Sequence, residues 1–416
     1  MIKSKILDDG VRLVTEQTSF VQSVAIGIWV KAGAMDETPD ISGISHLIEH
    51  MMFKGTEKRT ARDIAADVDR IGGQINAFTG KEATCYYIKT ISSNADKAAE
   101  ILLDMLLGSK FDSGEMKKEK KVICEEIKMV QDMPDEDVQD TMLEMVFKGD
   151  PLAKSIIGTA TSLRGISRNK VMKYLHDEYT RNSIVIAVAG NFDEDEITAL
   201  FENKFRELKK TKPAKKHKRS SFEPAFKVKV RDIEQSHICL AIPALKQLDP
   251  RYYALSLLNN IMGGSMSSRL FQNIREEKGL AYSVFSTTAG YTDNGYFSIY
   301  AGVAHDKIRA AIEGIKEEMR LLEEKGITEE ELATAKAQVK SSYVFAQENI
   351  SGRMFSIGKN MTMFGKIITL EEIVEGYDRV NMDDIDDVKH LITDLSGYCG
   401  VCATAKRIPL RKYVTE

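Results

Sequence analysis

The sequence predicts an α+β protein made of two duplicated domains, each a mainly antiparallel β-sheet packed with helices. Three observations carry this expectation. A basic stretch, RELKKTKPAKKHKR, lies at Arg206–Arg219 near the middle of the 416 residues. The order of elements before it recurs after it, as an internal duplication would leave it. The apolar runs, such as Val24–Val30 and Ile184–Ala189, have strand length and are too short to cross a bilayer, which needs ~18–20 residues.

Composition limits the function. Hydrophobic residues make up 43% and charged residues 29%, so there is material for sizeable cores and no reason to expect a disordered chain. Lys+Arg number 58 against 62 Asp+Glu, a formal net charge of -4, which argues against nucleic acid as the main partner. The N-terminus, MIKSKILDDGVRLVTEQ, has no apolar centre of the secretory type, so a cytoplasmic protein without membrane attachment is expected. Five scattered cysteines fit a reducing compartment. The one CxxC, Cys399–Cys402, lies in an apolar strand-like run and is expected in the core.

Along the first half, Ile44–Phe53 (ISHLIEHMMF) is apolar with helical period and has no breaker. Positions i, i+3 and i+4 share a helix face, so His46, Glu49 and His50 project together. Two imidazoles one turn apart suit zinc at ~2.0–2.1 Å, and the carboxylate between them can reach a water on the metal. This is the inverted HxxEH arrangement. Next come a glycine turn and strands in RIGGQINAFTGKEATCYYIKTI, a Ser-Asn-Ala-Asp cap and an amphipathic helix. A second helix, Glu115–Val130, carries Glu119, Glu125 and Glu126. A catalytic zinc needs a third protein ligand, and this helix offers carboxylates. Periodicity does not choose between Glu125 and Glu126.

The basic stretch reads as a solvated, self-repelling linker over 207–222, between domains 1–206 and 223–416. In the second half, EKGLAYSVFSTTAGYTDNGYFSIYAGVAHDKIRAAIEGIKEEM repeats the turn, strand, strand, cap and helix order. ITEEELATAKAQVKSSY then parallels the Glu126 helix. The segment parallel to the HxxEH helix, Ser256–Met262, has no histidine, so only the first half is expected to bind metal.

Together, His46–His50 with MMFKGT, NAFTGKEATCYY, KKVICEEI and GGSMSSRLFQNIREEKGLAYSV resemble the pitrilysin/insulinase family of zinc peptidases. The likeness runs over nearly the whole chain and is nearest to the branch of the mitochondrial processing peptidase β-subunit and its bacterial relatives. The resemblance implies one Zn2+ per chain held by His46, His50 and Glu126. Glu49 would activate the attacking water, and Glu119 would orient a ligand. Arg275 and Tyr282 would contact substrate and stabilise the oxyanion, a task suited to a fixed cation and a phenol. Asn76, Ala77 and Phe78 match the edge strand that binds a peptide by β-strand addition. Phe53 matches a residue lining the pocket on the leaving side. Glu136 and Asp140 match an acidic pair that holds a substrate arginine. The expected activity is endopeptidase action on unstructured peptides or precursor extensions. The expected assembly is a homodimer whose active sites are completed across subunits. The alternatives are a non-catalytic assembly subunit of the core-protein type and one half of an obligate heterodimer.

Overall fold

The computed structural model describes residues 2–212 and 222–416, so most of the linker expected over 207–222 falls outside the described residues. In the first half the elements are β1 (Ile2–Ile6), β2 (Arg12–Gln17), β3 (Ser23–Val30), α1 (Ile44–Met52), α2 (Ala61–Arg70), β4 (Gln74–Thr79) and β5 (Thr84–Ile91). There follow α3 (Ala95–Gly108), α4 (Ser113–Asp132), α5 (Pro134–Val146), α6 (Ala160–Gly165), α7 (Arg168–Glu178), β6 (Ile184–Gly190) and α8 (Glu194–Phe201). The second half runs β7 (Phe226–Val230), β8 (Ser236–Ala244), α9 (Tyr252–Asn259), β9 (Ala281–Gly290), β10 (Gly295–Val303), α10 (Ile308–Lys325) and α11 (Glu329–Glu348). It ends with α12 (Ile350–Phe364), α13 (Leu370–Arg379), α14 (Met382–Thr393), β11 (Cys399–Thr404) and α15 (Leu410–Thr415). Among the described residues no helix is long and apolar enough to cross a membrane.

The strands form two sheets, ordered β1-β2-β6-β3-β5-β4 and β7-β11-β8-β10-β9. Each contains one parallel pair, β2 with β6 and β7 with β11, and is otherwise antiparallel. Beyond β1 the two orders match strand for strand, with β4 and β9 as equivalent outer edges. The duplication expected from the repeated segments is therefore a duplication of topology.

The compact units interleave along the chain and so cross the expected 206/223 boundary twice. One comprises Met1–Lys128, Lys154–His217 and Phe345–Ile368; the other comprises Met129–Ala153, Lys218–Val344 and Thr369–Glu416. The cause is that each sheet has two apolar faces. In β3, Val24, Ile26, Ile28 and Val30 point into the core beneath α1, α3 and α7. The alternate residues Ala25 and Trp29 point the other way, with Ala187 and Ala189 of β6, and meet Met354, Ile357 and Met361 of α12. The alanines leave room for a helix to lie close to the sheet. In the second unit Cys239, Ala241, Cys399, Val401 and Ala403 meet Val138, Met142 and Val146 of α5. Cys399 and Cys402 are thus core residues of β11, and burial pushes the Cys402 thiol up to about 12.

Candidate metal centre

The centre is built on α1. Ile44, Leu47, Ile48, Met51 and Met52 are buried in the first core. That fixes the helix's rotation and leaves His46, Glu49 and His50 only partly covered on its other side. Glycine is required at the start of α1: Gly43 has φ +88, and a Cβ there would stand 2.7 Å from the Ile157 carbonyl oxygen. The first-turn donors are met by Glu37, which accepts from the Gly43 N–H at 2.7 Å and the Ser45 N–H at 2.9 Å.

The rings of His46 and His50 lie 4.6 Å apart. One candidate ligand atom from each of His46, His50 and Glu126 falls within 4.8 Å of the others, and among the described residues this is the one such group. Of the two neighbouring carboxylates, Glu126 faces the histidines, with its Oε2 3.6 Å from His50 Nε2. Glu125 points away and pairs with Lys128 at 2.8 Å. One turn pair earlier on α4, buried Glu119 faces the other nitrogen of the same ring, His50 Nδ1, at 3.1 Å. Its second oxygen lies 2.8 Å from Lys54 Nζ. A His50 that donates from Nδ1 to Glu119 keeps its Nε2 lone pair for a cation.

The electrostatics agree with a cation site. Burial, helped by the charge of His50, holds the His46 imidazole down to about 4, so the ring is neutral at physiological pH. Neutral imidazole is the metal-binding form. His46 Nδ1 is buried and has no hydrogen-bond partner. Two imidazoles, a carboxylate and an orphaned ring nitrogen form a donor set that suits zinc. Burial raises the Glu49 carboxyl above its ordinary value; the Thr79 hydroxyl and His50 oppose the shift, and the charge of Glu126 adds to it.

The strand β4 runs beside this group. Among the described residues it pairs only with β5, and its other edge carries no strand. Ile75 and Ala77 turn toward the core under α1, while Asn76 and Phe78 are exposed on the opposite face. The Ala77 N–H donates to Asn76 Oδ1 at 2.8 Å, so a neighbouring side chain occupies that donor of an edge residue. At the strand's end, the Thr79 hydroxyl donates to Glu49 Oε2. The open edge and the acid between the histidines are therefore joined by one hydrogen bond.

The other expected residues are placed as follows. Phe53, at the end of α1, is half-buried and packs on the first core. Arg275 belongs to the second unit, in a π-helical turn at Phe271–Glu277. Its guanidinium carbon lies 4.7 Å from the Phe271 ring centre and 5.7 Å from that of Tyr282. Tyr282, near the start of β9, is 75% exposed. Glu136 and Asp140 are exposed on α5 of the second unit. Asp137 between them is buried and pairs with Lys229 at 2.7 Å and Arg231 at 2.9 Å. Sequence reasoning missed Glu37 and Lys54. Lys54 was within reach, being one helical turn beyond His50. Nothing local marks Glu37, whose partners lie across an intervening turn.

Comparison with known proteins points to one family. Residues 12–160 match the family model described as insulinase, peptidase family M16, and residues 165–339 match the peptidase M16 inactive domain. A Bacillus subtilis protein named an uncharacterized zinc protease, YmxG, is 41% identical over 395 residues, covering 95% of this chain and 96% of its own. A Rickettsia felis protein, also named an uncharacterized zinc protease, is 39% identical, with 91% and 92% covered. Among solved structures, a peptidase M16 inactive domain from Pseudomonas fluorescens shares the fold at a TM-score of 0.89 and 17% identity, with 98% of each chain covered. With identity that high over nearly its full length, and with both halves matched, the chain belongs to the insulinase family, peptidase family M16.

Proposed function

We propose that this chain is a zinc-dependent endopeptidase acting on unstructured peptides or precursor extensions. The observation that carries the reading is one cluster: His46, His50 and Glu126 converge, Glu49 lies among them, and an open strand edge ends at Thr79, which binds Glu49. His46, His50 and Glu126 would hold one Zn2+ per chain. When bound, the ion supplies a Lewis acid that polarises the scissile carbonyl and makes water more acidic. Glu49, raised by burial, takes a proton from the attacking water and returns it to the leaving amine. Glu119 keeps His50 turned with Nε2 toward Glu126. The substrate pairs with β4 as an added strand along Asn76, Ala77 and Phe78, which aligns its backbone with little demand on side chains. Phe53 lines the leaving-side pocket, and Glu136 with Asp140 receives a basic side chain of the substrate. Arg275 and Tyr282 are the oxyanion donors, contributed by the second subunit of a cytoplasmic homodimer.

Metal analysis and a quenched library of unstructured peptides test this together. The expected result is about one zinc per chain, with turnover lost to a chelator and restored by Zn2+. Glu49→Gln is expected to keep the zinc and lose about 100- to 10,000-fold in kcat, the usual contribution of a general base. A chain without zinc or turnover would favour the assembly-subunit reading instead.

A further inference from the structure

We infer that Glu37 is a positioning residue for the metal centre: its carboxylate holds the first turn of α1 and thereby sets where His46, Glu49 and His50 stand. The inference rests on the metal reading above and concerns a residue outside the expected ligand and catalytic set.

Glu37 is 2% exposed, an unusual place for a carboxylate. It has no arginine or lysine hydrogen-bonded to its side-chain oxygens among the described residues. What it has is the start of α1. Oε2 accepts from Gly43 N–H and Oε1 from Ser45 N–H, so both oxygens are committed to one helix end. A negative group at that end also matches the helix dipole. The backbone of Glu37 is anchored separately, since Lys154 Nζ donates to the carbonyls of Glu37 and Met35. The far side of the turn is closed by Gly158, whose Cα lies 3.0 Å from the position of a Cβ at Gly43. Ser45 is tied down as well, with its hydroxyl 2.9 Å from the Tyr174 hydroxyl. Helix α1 has only nine residues, and three of them belong to the cluster. A tilt of its first turn therefore moves all three chemical groups at once.

Both oxygens are full-strength acceptors for the two N–H groups in the ionised form. A protonated carboxyl turns one oxygen into a donor facing an N–H. Burial raises Glu37 to about 7, against the pull of the Ser45 and Gly43 bonds and of Lys154. The charged and titratable groups around it are Asp36, Lys154, Tyr174 and Glu178, with Lys212 beyond them on Asp36 and Glu178. Lys154 acts on the carboxylate through its charge, which favours the ionised form.

Glu37→Gln tests this, because it preserves shape and leaves one acceptor where two are needed. Three readouts apply. Amide hydrogen exchange over residues 38–50 of the metal-free protein should speed up in the variant. Zinc affinity, measured by competition with a chromophoric chelator at pH 8, should weaken by about tenfold or more, the usual cost of losing an outer partner of a metal site. In kcat, the wild-type loss below neutral pH should diminish in the variant, with a smaller change in KM. Unchanged exchange at α1, or zinc affinity and pH profile equal to wild type, would overturn the assignment. If the wild-type chain bound no zinc and cleaved nothing, the metal reading would fall by itself. The exchange measurement would still decide whether Glu37 holds α1. Lys154→Met, which frees the same turn from the other side, should reproduce the exchange and affinity changes in weaker form.

Discussion

A single carboxylate shows how placement and stability pull against each other. Glu37 is raised from its ordinary value to about 7 by burial. A group whose folded value is raised stabilises the fold fully below its unfolded value, and that stability is lost as pH rises through the folded value. Ionising Glu37 in place therefore costs about 3 kcal/mol between pH 4.5 and pH 7, an order-of-magnitude figure. Glu37→Gln has no such loss. Metal-free denaturant melts should show the variant gaining stability relative to wild type from pH 5 to pH 8. A gap that does not widen with pH would contradict the buried charge. The same substitution removes this pH-dependent cost and weakens the metal centre, the trade that strained functional groups commonly make. At this scale the sequence was legible where spacing is local. His46, Glu49 and His50 share a face because helix geometry demands it. Glu125 and Glu126 are neighbours on one helix, so only the rotation of α4 against α1 separates the exposed partner of Lys128 from the group beside His50.

The elements show the same division. Strand β4 was legible as a strand between glycine turns, whereas its place at an edge came only from the resemblance; its exposure pattern alternates along all six residues. Helix α12 was not legible as the cover of the first sheet, since nothing local says which of two sheets a helix will meet. Its docking depends on Gly358, where a Cβ would overlap Trp29 Nε1 and stand 2.6 Å from Trp29 Cδ1. Gly358→Ala gains helix propensity, worth up to ~1 kcal/mol, but the overlap costs ~1–3 kcal/mol or more. A net fall in thermal midpoint is expected, accompanied by a shift in tryptophan emission, and Trp29 is the chain's single tryptophan. An unchanged midpoint would mean that α12 can lift from the sheet without loss.

For the whole molecule, the repeated segments made the duplication legible, whereas the interleaving was hidden because it joins residues far apart in sequence. Each sheet takes one covering helix from the other half of the chain, α12 for the first and α5 for the second. Residues 1–212 expressed alone would leave Ala25, Trp29, Ala187 and Ala189 facing water, an apolar patch of the kind that aggregates. Size-exclusion chromatography should find that fragment aggregated, and soluble when residues 222–416 are co-expressed with it. The proposed homodimer belongs at this scale too. Mixing Glu49→Gln chains with chains carrying Arg275→Ala and Tyr282→Phe should restore part of the turnover. Verified mixed dimers without rescue would rule out completion of the site across subunits.

The exchange of helices also sets a timetable for synthesis. Every strand of the first sheet has been made once Gly190 is reached, but its cover ends at Phe364. At ~5–20 residues per second, the ribosome needs on the order of ten seconds or more to make that interval. Throughout it the nascent chain carries a finished sheet with one bare apolar face, the kind of surface that holding chaperones bind. The metal centre, which lies on the opposite face with all its residues already translated, can assemble before that wait is over.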